Sequence, residues 1–225
     1  MLWSPNTQLH YPFQNTATDY SGNARNGTVN GSGVYATKPN GGRCLYFDGV
    51  GDFVKTPSFG LSGTVIVFAS DIRCAYDAGH TQGIFGDEAA STTVGFLYTR
   101  RRYAQNDFQW AYANGASTIY AAASNFFASP YNDAWVHGLV VCDYAGKNIY
   151  YYRGGTLFAT VAMTGTPVFP STTRVKYVGA YGNNDTPLIA GYLANVQLWT
   201  LATMPAAAQM LANAKRIMLG FNPIW

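Results

Sequence analysis

A chain of 225 residues with 11% charged and 16% aromatic residues, 24 glycines and 17 tyrosines has the composition of one β-rich domain with short strands and tight turns. Its net charge of +3 is too small to imply a nucleic-acid partner, which would draw on several clustered phosphate contacts. No apolar run approaches the roughly 20 residues of a membrane-spanning helix.

The start MLWSPNTQLH has no basic stretch followed by an apolar run, so no secretory signal is expected. Leu9, Tyr11 and Phe13 alternate with His10, Pro12 and Gln14, which predicts a first strand with one buried face. A turn follows at Ser21-Gly22-Asn23. Cys44–Phe47 runs into Asp48-Gly49, and Phe53-Val54 resumes, a pattern that predicts a hairpin. The apolar run 64–69 suits a central strand, and 83–85, 93–98 and 108–113 read as short ones. Residues 135–142, 148–153 and 157–163, broken at Ala145-Gly146 and Gly154-Gly155, predict a three-stranded meander. Strands over 175–180 and 192–199 complete the set. Pro205, three alanines and Gly220 then bracket a helix whose stripe is Met210, Leu211, Ala214, Ile217 and Met218. Cys44, Cys74 and Cys142 are an odd set without short-range pairing, and are expected as buried free thiols.

Four segments carry a family resemblance: TDYSGNARNGTVNG at 18–31, GGRCLYFDGVGDFV at 41–54, WVHGLVVCDYAGKNIYYYRGGTLFAT at 135–160, and AGYLANVQLWT at 190–200. Together they resemble laminin G-like, concanavalin A-type domains. The resemblance implies an all-β fold, a two-sheet antiparallel jelly-roll sandwich over residues 1–200. A short C-terminal helix and an apolar tail over 201–225 would pack on it or on a partner.

Family members often hold calcium, and Asp19 with Ser21 and Asn23 resembles their Asp-x-Ser-Gly-Asn segment. That makes Asp19 and Asn23 the candidate ligands for a calcium ion. Where relatives commonly read Gly-x-Ile-Asp-Glu-Val, however, this chain has Gly191-Tyr192-Leu193-Ala194-Asn195-Val196. Two carboxylates are missing there, and Asp19 is the more readily explained as the cap of its own turn. No cofactor is otherwise expected.

Catalysis finds little support. The chain has a single glutamate, Glu88, beside ten aspartates, and glycoside hydrolysis needs two carboxyl groups about 5–9.5 Å apart across the bond. The three histidines, His10, His80 and His137, lie in unrelated contexts without a nucleophile motif or zinc spacing. His137 alternates with Trp135 and Leu139, and relatives carry histidine after this tryptophan, so a structural role is expected.

A laminin G-like domain without an export signal is ordinary for a bacteriophage particle. The first expectation is therefore a non-enzymatic virion protein, in capsid decoration or the tail, contacting other virion proteins in a homo- or hetero-oligomeric assembly. Its interface would use Phe221, Ile224 and Trp225 of the tail and Arg100, Arg102 and Tyr103 of the one charge run. The alternative is a lectin-like module binding host glycans through the loop holding Tyr181, Asn183 and Asn184, with Tyr112 and Asn114.

Overall fold

The computed structural model describes residues 6–74, 81–87, 97–102, 106–180, 188–219, 221 and 223–224. Its strands form two antiparallel sheets, one of 8 strands and one of 7, with one short helix after them. The all-β two-sheet sandwich expected from the sequence is the observed architecture.

The 8-stranded sheet runs β13 (Thr156–Ala162), β12 (Asn148–Arg153), β11 (Val136–Asp143), β6 (Val65–Cys74), β15 (Ala190–Leu201), β4 (Arg43–Asp48) and β3 (Val34–Thr37). On the β4 side of β15, its second half pairs instead with β1 (Thr7–Tyr11). The 7-stranded sheet runs β10 (Thr118–Ala123), β9 (Asp107–Ala113), β8 (Leu97–Arg102), β7 (Gln82–Asp87), β14 (Lys176–Val178), β5 (Phe53–Lys55) and β2 (Thr28–Asn30).

Between the sheets the inward residues interleave, as expected for layers about 10 Å apart. Phe68 of β6 meets Phe85 of β7 with ring centroids 5.1 Å apart, and Phe108 of β9 meets Tyr151 of β12 at 5.9 Å. The Tyr151 hydroxyl crosses the gap, donating to the Ala121 carbonyl at 2.8 Å and accepting the Trp110 backbone N–H at 3.1 Å. A buried phenol is thereby satisfied while it ties one layer to the other.

The meander β11-β12-β13 is present as the sequence predicts, and all three cysteines are buried and free. The predicted hairpin over 44–54 is not: β4 lies in one sheet and β5 in the other. Asp48 accepts the N–H groups of Val50 and Gly51, and Asp52 accepts those of Asp48 and Ser32. These caps hold an arch that carries the chain from layer to layer, a use of Asp-Gly that the local pattern shares with a hairpin turn.

Helix α1 (Ala207–Met218) lies on the outer face of the 8-stranded sheet, where Met210, Ala214 and Ile217 cluster with Val65, Val67, Leu139, Val141 and Trp199. The predicted stripe is corrected in part. Leu211 is half-buried and Met218 exposed, while Asn213 is buried in their place. Its side chain accepts the Ile224 N–H and donates to the Ile224 carbonyl, both at 2.8 Å. The tail is thus folded back on its own helix. No helix among the described residues is long and apolar enough to cross a membrane.

Candidate functional site

Alternation along β6 sends Ile66, Phe68 and Ile72 inward and sets Val65, Val67, Ala69 and Asp71 on the outer face. On β11 the outer row is Val141, Leu139 and His137, and the register places His137 directly opposite Asp71. The apolar members of both rows lie under α1. Where the helix stops at Met218, the rows turn polar and a cleft of about 370 Å³ opens, lined by Lys38, Asp71, Trp135, His137 and Met218 among others.

Asp71 holds this cleft together. Its Oδ1 lies 2.7 Å from Nδ1 of His137 and its Oδ2 accepts from Nζ of Lys38 at 2.8 Å. Burial works against the carboxylate charge, but the bonds from His137 and Lys38 outweigh it and keep the carboxyl below its usual range. An ionised carboxylate can only accept, so Nδ1 of His137 carries a proton and donates it to Oδ1 of Asp71. The His137 side chain is only 7% exposed, and Nε2 is buried without a hydrogen-bond partner.

Aromatic rings flank the pair. The Lys38 ammonium stands 5.3 Å over Trp135, and Trp135 lies 6.1 Å from Tyr192, which is 4.9 Å from Tyr46. The Arg73 guanidinium covers Tyr192 at 5.5 Å. A half-buried indole beside a fixed carboxylate and a fixed ammonium suits a ligand with one apolar face and a rim of hydroxyls. Among the described residues lining the cleft, Asp71 is the sole carboxylate, and there is no serine, threonine or cysteine.

The residues singled out from sequence fare differently. Tyr112 is wholly buried, its hydroxyl accepting the Thr164 N–H at 2.7 Å, so it cannot stack on a sugar. Its place in β9 points it into the core rather than out of the sheet. Asn114 caps a turn through its side-chain oxygen, which accepts the N–H groups of Ala116 and Ser117. Tyr181, Asn183 and Asn184 lie outside the described residues, as do Tyr103, Trp225 and the side chain of Arg102.

Asp19 is not set up as a calcium ligand. Its oxygens accept the N–H groups of His10, Ser21 and Arg25 and the Ser21 hydroxyl, which uses the lone pairs a cation would need. Asn23 donates its amide to the Thr7 carbonyl at 2.8 Å. Among the described residues no three histidine, cysteine or acidic side chains come together. Arg100 donates to Gln109 at 2.7 Å and stacks over Tyr120, whereas Arg101 is buried and donates to Asn106 and Asn132. Phe221 and Ile224 are 59% and 62% exposed.

Neither a protein-family model nor a curated protein matches the chain. Solved structures do. Domain 4 of an extracellular arabinanase from Geobacillus stearothermophilus, in complex with arabinotriose, superposes with a TM-score of 0.71 at 15% identity, over 95% of this chain and 98% of that one. The binding domain of botulinum neurotoxin DC in complex with SialylT gives 0.68 at 12% identity, over 96% of this chain and 52% of that one. The same domain with rat synaptotagmin II gives 0.67 at 12%, over 96% and 51%. At these identities the likeness is one of fold, and the fold to which this chain is similar is that of β-sandwich binding domains.

Proposed function

We propose that the chain is a non-catalytic sugar-binding module whose ligand sits in the cleft over Asp71, His137 and Trp135. The observation that carries this reading is a cleft in which the half-buried indole of Trp135 stands beside the fixed Lys38–Asp71–His137 set. Polar groups held in place for hydroxyls and one apolar wall for a sugar face are the minimum a pyranose or furanose ring needs. The neighbours lend support, since one was solved with arabinotriose and another with SialylT.

The test is a glycan array with the intact chain and with Trp135→Ala and Trp135→Phe. Specific binding is expected, weakened at least tenfold by the alanine and less by phenylalanine, with melting temperatures tracking each variant's folding. Glycan binding that ignores both substitutions would move the site elsewhere, and no binding to any glycan would reject the module reading.

A role as a bacteriophage virion component, in capsid decoration or the tail, is the second reading. The exposed Phe221 and Ile224 favour it as a protein-contact patch. Its check is whether the chain is present in purified particles.

A further inference from the structure

The cleft beside Trp135 continues past Asp71. A second depression of about 270 Å³ shares Lys38, Asn40, Asp71 and Met218 with it, then runs along Ala194 and Asn195 to Arg43. The second depression exists because β15 is interrupted. Its pairing with β6 shifts between Ala194 and Gln197, and Asn195 adopts a φ of +51°. On the other side of β15 the partner changes there, from β4 to β1. A bulge at a change of partner opens the sheet surface. The result is one elongated groove with His137 at one end and Arg43 at the other.

The two cations of this groove are in different states. Lys38 is neutralised by Asp71 at 2.8 Å. Arg43 donates to the hydroxyl of Thr37 at 2.6 Å and to the side-chain oxygen of Asn15, both uncharged acceptors. Its Nε–H is buried and has no hydrogen-bond partner. A guanidinium positioned by two neutral oxygens keeps its whole charge, and only two of its five N–H donors are used by them. The group that best fits a guanidinium's planar fork is a carboxylate.

Building on the sugar-binding reading, we propose that the groove takes an acidic oligosaccharide, with a neutral ring at Trp135 and His137 and the carboxylate of a uronic or sialic unit at Arg43. Asp71 does not repel such a ligand, because its charge is already answered by Lys38 and by the bond from His137.

The experiment measures binding of polygalacturonate, alginate, hyaluronate and a sialylated glycan panel, each beside its carboxyl-reduced form, to the wild-type chain, Arg43→Gln and Arg43→Lys. At least one acidic glycan is expected to bind tenfold or more tightly than its reduced form. That preference should weaken with salt, vanish in Arg43→Gln and survive in part in Arg43→Lys. Affinity for the reduced form should be unchanged in both variants. Equal or better binding of neutral glycans, lost in Trp135→Ala, would overturn the acidic assignment and leave the sugar-binding reading standing. Failure of every acidic and neutral glycan to bind would overturn both.

Discussion

His10 lies in the first strand with its side chain bonded to that of Asn195 at 2.9 Å. Burial dominates its chemistry and drops its pKa from 6.5 to about 4, with Asn195 and the charge of Asp19 only partly opposing. The unfolded chain therefore takes up this proton first as pH falls. Stability supplied by the neutral ring is complete above pH 6.5, declines as pH drops from 6.5 to about 4, and changes no further below that. At 1.36 kcal/mol per unit the loss is on the order of 3 kcal/mol. Chemical denaturation at a series of pH values should show this slope in the wild type and a much flatter one in His10→Gln. Equal slopes would mean that His10 is not held neutral. At the same scale, the sequence marked His137 and Trp135 as strand residues but gave no sign that they form a site. Asp71 was passed over because nothing local distinguishes an acid in an outer row from a solvated one. What brings it into the cleft is the register that sets it opposite His137, and register is a property of two strands distant in the chain.

Among the elements, α1 decides where the groove can be. It covers the apolar half of the outer rows and ends where they become polar, so Met218 is both the last helical residue and a wall of the groove. Ile217 is fully buried against that sheet face. Ile217→Ala should cost about 2–5 kcal/mol, visible as a melting temperature lower by several degrees. Asn213→Ala should act otherwise: it removes two of the three bonds to Ile224, leaving that from Gln209, and loosens the tail for carboxypeptidase, while the sandwich melts cooperatively. Faster trimming without loss of cooperativity is the expected pair of results, and unchanged trimming would contradict the clasp. The helix itself was legible from Pro205, its alanines and its periodicity, yet Asn213 was not placed on its buried face. A polar residue reads as exposed unless its partner is known, and here the partner is backbone 11 residues away. The Asp48-Gly49 arch was misread as a hairpin for a related reason. The capping chemistry is local, but the sheet to which the next strand returns is not.

For the whole molecule, alternation and turn residues were enough to give most strands and the meander, because these are written at short range, whereas the two-sheet sandwich followed from the family resemblance. The groove followed from neither, since it needs four strands, one connecting turn and the end of a helix brought together. The sandwich holds these parts without hinges: Tyr151 ties the layers, and Asp71 links β6 to His137 of β11 and to Lys38. A preformed groove of this kind binds its ligand with little reorganisation. The most direct test is a two-dimensional NMR titration of the indole and imidazole signals with the best-binding glycan. The account predicts shifts of Trp135 and His137 that saturate with the binding isotherm, while the buried indoles of Trp110 and Trp199 stay in place. Saturable binding that leaves Trp135 and His137 unmoved and perturbs instead the Asn114 turn or the 221–224 tail would contradict it.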